Sequence, residues 1–148
     1  MKSMFLFIVS CTVLLMAACN NGGKTRAYRR IVFNAAGLQV LSSSVNKKLE
    51  TMSLLYGNSE ACQTLIESDI PDSGGVFKFV TWQYHDNPFF YGSKINGELL
   101  SVESIGIQGN GLIDYEIEKG DPLPVNGIKL SRQERIKYIL GHKQSQLP

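Results

Sequence analysis

One hundred and forty-eight residues carry 15 Lys and Arg, 13 Asp and Glu and 2 His, a formal net charge of +2, with 43% hydrophobic and 19% charged residues. That balance suits one globular domain and argues against a disordered or collagen-like chain. The near-neutral charge argues against a nucleic-acid binder, which carries a strong basic footprint.

Met1-Lys2-Ser3 is a short basic start, and an apolar run follows from Met4 to Met16, broken only by Ser10, Cys11 and Thr12. A bilayer span needs roughly 20 residues, so this run suits the apolar stretch of a secretory signal better than a transmembrane helix. It closes on Met16-Ala17-Ala18-Cys19, ahead of the polar Asn20-Asn21-Gly22-Gly23. These four residues resemble the bacterial lipobox, in which an apolar residue and two small residues precede a cysteine. Small residues admit the signal peptidase, and the thiol accepts the diacylglyceryl group. The resemblance implies that residues 1–18 are a lipoprotein signal peptide and that Cys19 carries acyl chains such as palmitate. It also implies a partner, the lipid bilayer, and a place in a bacterial cell envelope, facing the periplasm or the exterior. The alternative is an ordinary signal cleaved at a small-x-small site.

Residues 19–30 read as a lipidated tether and residues 31–148 as a single domain. Between Lys24 and Lys48 stand six basic residues (Lys24, Arg26, Arg29, Arg30, Lys47 and Lys48) and no acidic one. They can rest on anionic headgroups at about 1 kcal/mol per charge, or simply solvate the tether. With Cys11 lost in the signal and Cys19 acylated, Cys62 has no thiol to pair with inside the chain. Ala61, Leu65 and Ile66 around it suggest a buried, inert thiol.

The spacing of Val45, Leu49, Met52 and Leu55 or Tyr56 predicts a helix over 39–56, with Ser44 as its cap and Gly57 as its stop. A second, short helix is predicted from Asn58 or Ser59, with Ala61, Leu65 and Ile66 inward, ending in Asp69–Gly75. From Val76 the period becomes two. Val76–Tyr84 predicts a strand apolar on both faces, hence central. His85-Asp86-Asn87-Pro88 predicts a turn, Phe89–Ile95 a second strand, and Asn96-Gly97 a hairpin turn. Leu99–Ile107 and Leu112–Ile117 predict two more strands, and Gly120–Pro124 a loop. Ser131 with Glu134 forms a capping box for a last helix bearing Ile136, Ile139 and Leu140. The predicted class is α+β: an antiparallel β-meander of about four to five strands with N-terminal helices and one C-terminal helix.

Signs of chemistry are few. His85 and His142 lie far apart and belong to no metal-ligand motif, so no metal site is expected. There is no G-x-S-x-G, phosphate-binding loop or dinucleotide fingerprint, and no catalytic residue is assigned. The densest unusual feature is aromatic: Trp82, Tyr84, Phe89, Phe90 and Tyr91 surround His85-Asp86-Asn87. These residues either fasten two strands as core or line a ligand pocket, with Trp82, Tyr84, His85, Phe89 and Tyr91 as its candidate wall.

One longer resemblance exists. Leu55-Tyr56-Gly57-Asn58-x-x-Ala61 is followed by Pro71-Asp72-x-Gly74 and by the apolar strand ending Val80-Thr81-Trp82. This order is similar to the cytochrome P-four-sixty family of small secreted mono-haem proteins. In that family a helix ends in a Tyr-x-Asn-x-x-Ala-like turn, and a Pro-x-Gly turn opens a strand. The family's haem is attached through C-x-x-C-H near the C-terminus, whereas here that region reads Arg135-Ile-Lys-Tyr-Ile-Leu-Gly-His142 and has no cysteine. The resemblance therefore implies a haem-less, cytochrome-like scaffold without covalent cofactor. The leading reading is non-enzymatic: an anchored envelope lipoprotein that binds a small ligand or an envelope protein. The alternative is a redox protein with non-covalent haem held by His85 or His142.

Overall fold

The computed structural model describes residues 33–67 and 74–142. The expected signal peptide, Cys19, the expected tether and most of the expected Asp69–Gly75 turn lie outside the described residues. Five antiparallel strands stand in sheet order as in sequence: β1 (Gln39–Asn46), β2 (Thr51–Gly57), β3 (Val76–Asp86), β4 (Lys94–Ile107) and β5 (Ile113–Gly120). Helix α1 (Ser59–Glu67) joins β2 to β3, and helix α2 (Arg132–Leu140) follows β5.

The middle strand, β3, separates two apolar clusters. Phe77 and Phe79 face the helices and pack with Leu41, Leu55, Ala61, Ile105, Ile107 and Ile139. Val80 and Trp82 project from the opposite face and pack with Leu99 and Val102, under Phe33, Leu54 and Tyr56. The Phe33 ring lies 5.2 Å from Tyr56 and 6.4 Å, edge-on, from Trp82. Strict alternation of large apolar side chains on one strand requires cover on both sides, and both covers are present.

The fold is mostly antiparallel sheet with few helices, and this corrects the expected α+β class with its N-terminal helices. Residues 39–56 form the β1–β2 hairpin. Asn46 Oδ1 accepts from the Lys48 and Leu49 amides, at 3.1 Å each, and Glu50 takes a left-handed φ of 51°. This Asx turn reverses the chain where the expected helix would have its middle. The apolar stripe that suggested a helix is not an inner face, because Val45 and Leu49 are 58% and 40% exposed.

The motif behind the cytochrome-like resemblance consequently closes a strand rather than a helix, and its residues have a mechanical reason. Asn58 Oδ1 accepts from the amides of Ala61 and Val76, both at 3.0 Å, while its Nδ2 donates to the Gly74 carbonyl at 2.8 Å. One side chain thus caps α1 and ties it to the start of β3. Gly57 and Ala61 are small because they meet: a Cβ on Gly57 would stand 2.7 Å from that of Ala61 and 2.5 Å from Leu41 Cδ1.

A second correction concerns the β3–β4 hairpin. Phe89–Tyr91 lies in its loop and not in a strand, and Asn96-Gly97 lies inside β4 and not in a turn. The His85 ring lies against Gly97, where a Cβ would come within 2.8 Å of it. The glycine is there for that ring, not for a reversal. The Asn-Gly pair that does turn the chain is Asn126-Gly127, with φ values of 51° and 81° between the bridged Val125 and Ile128.

Candidate functional site

The strand register lines up hydroxyls that are distant in sequence. Ser44 on β1 pairs with Ser53 on β2, Ser53 with Thr81 on β3, and Thr81 with Ser101 on β4. The row lies on the helical face. Ser53 Oγ and Thr81 Oγ1 are hydrogen-bonded at 2.9 Å. At the inner end, the fully buried Ser101 hydroxyl has no hydrogen-bond partner among the described residues. Such a hydroxyl ordinarily costs about 1–3 kcal/mol, which marks this row as a departure from simple core packing.

Over the outer part of the row opens a cleft of about 430 Å³. Its floor is Ser44, Thr51, Ser53 and Thr81, and Leu123 to Asn126 form one lip. Phe79, Arg135 and Tyr138 stand at the back, and Val45 to Lys47 with Leu49 at the front. Small-molecule sites fall between roughly 300 and 1,000 Å³ and combine apolar walls with a few convergent polar groups. This cleft falls in that size range but is more polar and more open than such sites, and no Asp or Glu lines it.

The back wall is held by a buried ion pair. Glu103 on β4 is fully buried, and Arg135 on α2 grips it with two bonds, Nε to Oε2 at 2.8 Å and Nη2 to Oε1 at 2.7 Å. Arg135 Nη1 donates to the Leu123 carbonyl at 3.1 Å, so the same guanidinium fixes the lip. Its Cζ lies 5.0 Å from the centre of the Tyr138 ring and 5.6 Å from that of Phe79, a cation–π setting. Burial lowers the Arg135 pKa, but the hydrogen bond and the charge of Glu103 outweigh it and hold the group above its ordinary value. Helix α2 is positioned for this by its capping box, Ser131 Oγ accepting from the Glu134 amide while the Glu134 carboxylate accepts from the Ser131 amide.

Tyr115 on β5 completes the cluster by donating its hydroxyl to Glu103 Oε2 at 2.7 Å. Burial first, then this bond and the Glu103 charge, push the phenol above its ordinary value of 10.0. A group whose pKa is raised on folding contributes stability that is complete below its unfolded value and is lost as pH rises through the folded one. Denaturant titrations should therefore show stability falling above about pH 10. Tyr115→Phe should weaken that alkaline slope and cost about 1–3 kcal/mol at neutral pH. An unchanged alkaline slope in the variant would show that this phenol is not coupled to folding.

His142 stands just beyond α2 and is half-buried beside the cleft. Its ring lies 5.0 Å from Phe79 and 4.8 Å from Tyr138. Nδ1 is 2.9 Å from the Tyr138 carbonyl, which can only accept, so Nδ1 carries the proton. Nε2 lies 3.5 Å from Ser44 Oγ.

The five residues expected to form a pocket wall do not meet in one. Trp82 and Tyr84 are buried, and Trp82 belongs to the cluster on the face opposite the cleft. His85 packs on Gly97 at the base of the hairpin, and Phe89 and Tyr91 are exposed at its tip. None of the five lines the cleft. Cys62 is half-buried against the helical-face core. Among the described residues, no group of three or more His, Cys, Asp or Glu is placed to hold a metal ion, and no helix is long and apolar enough to cross a membrane. No protein-family model and no curated protein matches the chain.

Proposed function

We propose that this chain is a non-enzymatic, Cys19-anchored lipoprotein of a bacterial envelope, whose domain holds a small polar ligand in the hydroxyl-floored cleft. The observation that carries the ligand reading is the convergence of Ser44, Ser53 and Thr81, from three strands, under one opening. Hydroxyls both donate and accept, so they suit a polyhydroxylated or carboxylate-bearing guest. The charge of Arg135 is balanced by Glu103, which leaves Lys47 as the one uncompensated charge on the lining and favours a neutral or anionic ligand over a cationic one.

Catalysis is not favoured by this arrangement. Ser44 Oγ and His142 Nε2, 3.5 Å apart, are the nearest approach to a nucleophile–base pair, and His142 Nδ1 faces the Tyr138 carbonyl rather than an orienting carboxylate. The residues also fit haem poorly. A porphyrin face needs an apolar bed, whereas the cleft floor is hydroxylic, and both His142 nitrogens already face oxygen atoms.

Two experiments address the two halves of the proposal. Two or more acyl chains hold a protein firmly at about 0.8 kcal/mol per buried CH₂. Cys19→Ala should therefore move the protein from the membrane to the soluble fraction, and continued maturation and membrane retention of the variant would refute the anchor. For the cleft, a panel of uncharged sugars and small carboxylates is screened by thermal shift. A ligand at a hundredfold its Kd adds about 2.7 kcal/mol to stability. The shift should disappear in Ser53→Leu, whose side chain fills the floor. A shift that survives this substitution would place the ligand elsewhere.

A further inference from the structure

The β3–β4 hairpin ends in Asn87-Pro88-Phe89-Phe90-Tyr91-Gly92-Ser93, a stretch without a single charge. Phe89, Phe90 and Tyr91 are 86%, 69% and 108% exposed. Three adjacent large aromatics in water are unusual on a folded surface and mark a contact site. The loop displays them in an ordered way. Asn87 Oδ1 accepts from the Phe89 amide, the Asn87 amide donates to the Ser93 carbonyl, and Ser93 Oγ donates to the Phe90 carbonyl, all at 2.9 Å. The aromatics are therefore presented outward rather than lacking a core to join.

We infer that this tip dips into the headgroup region of the bilayer to which the protein is anchored, an inference that rests on the anchoring reading. Its chemistry suits that medium: phenyl rings partition into the apolar boundary, and a tyrosine keeps its hydroxyl at the wet edge. No charge on the tip opposes entry. At the stem, Asp86 and Lys94 form an ion pair, so that neither carries an unbalanced charge towards the surface.

The chain geometry agrees. Residues 20–32 are all that separate Cys19 from Phe33. Such a length reaches at most roughly 45 Å when fully extended. Phe33 lies between Tyr56, paired with Lys78, and Trp82 further towards the hairpin. The tether therefore meets the domain at mid-sheet, on the face opposite the helices. The β1–β2 turn lies further towards the hairpin, its Glu50 carbonyl accepting from the Tyr84 amide at 2.8 Å. Lys47 and Lys48 on that turn can contact anionic headgroups beside the inserted rings, with Glu50 the acidic residue among them.

The test reconstitutes the full chain carrying Tyr91→Trp into phosphatidylcholine–phosphatidylglycerol vesicles with brominated acyl chains. Only chain that co-floats with the vesicles is read, so a failed anchor shows as loss of flotation and a failed tip as unquenched emission from the floated chain. Read as the difference from the unsubstituted chain, so that Trp82 is subtracted, the introduced indole should emit to the blue of its position in detergent-free buffer and be strongly quenched by bromine. Trp82, in the unsubstituted chain, should remain unquenched, since it is buried in the sheet. A parallel Phe90→Trp chain should behave as Tyr91→Trp does. Water-like, unquenched emission from both variants would overturn the inference. Blue-shifted but unquenched emission, the mark of a tip covered by protein, would overturn it equally.

Discussion

Glu103→Gln should destabilise the domain by about 3–5 kcal/mol, the usual consequence of leaving a buried charge without its partner. The carboxylate is fully buried and accepts three bonds, two from Arg135 and one from Tyr115. An amide there can accept on only one atom and turns a donor towards the guanidinium. Removing both charges is a different matter. Glu103→Leu with Arg135→Met should recover much of the loss, because a well-packed apolar pair is often no less stable than a buried ion pair. Chemical denaturation of the three chains reads this directly. A loss below about 1 kcal/mol in Glu103→Gln would mean that water reaches the pair. The double variant should nonetheless loosen the Leu123–Asn126 lip, since Arg135 also holds the Leu123 carbonyl.

Phe79→Ala should cost about 3–5 kcal/mol, a large part of the 5–15 kcal/mol by which such domains are ordinarily stable. Phe79 is 2% exposed on the middle strand, with its ring 6.1 Å, edge-on, from Tyr138 and 5.0 Å from His142. It is the point where sheet, α2 and cleft wall meet. Phe79→Leu keeps most of the volume and should cost much less. The melting midpoints of the two variants should therefore separate widely. If Phe79→Ala shifts the midpoint by only a degree or two, the helical-face core is not organised around this ring.

What could be read in advance was what one element declares by itself. Val76–Tyr84 announces a central strand because both its faces are apolar, and β3 occupies that segment. Ser131 and Glu134 announce a helix start through a local, reciprocal bond, and α2 begins there. The β1–β2 hairpin was hidden because Val45, Leu49, Met52 and Leu55 fit helical spacing by accident, while the deciding residue, Asn46, acts through a turn bond that periodicity does not register. The two Asn-Gly pairs make the same point. Asn126-Gly127 turns the chain, whereas Gly97 is reserved for the His85 ring, and only the tertiary neighbour tells them apart.

The candidate site was less legible still. Its floor is assembled from Ser44, Ser53 and Thr81, which are unremarkable in sequence and become neighbours only through strand register. Aromatic clustering drew attention instead to Trp82 through Tyr91, where adjacency along the chain does not survive folding: Trp82 goes inward and Phe89 to Tyr91 go outward. One signal was available, the Ser42-Ser43-Ser44 run beside Thr51 and Ser53, which is a high density of hydroxyls for a segment that contributes to a core.

The most direct test of the cleft as a ligand site is an amide-resolved NMR titration of the isotopically labelled protein with the sugar or carboxylate that stabilises it most. The predicted result is a saturable set of shifts at Ser44 to Ser53, Thr81, Leu123 to Asn126 and Arg135 to Tyr138, the residues around the opening. Saturable shifts confined to Asn87–Ser93, or to the β5 edge, with the cleft amides unmoved, would contradict it.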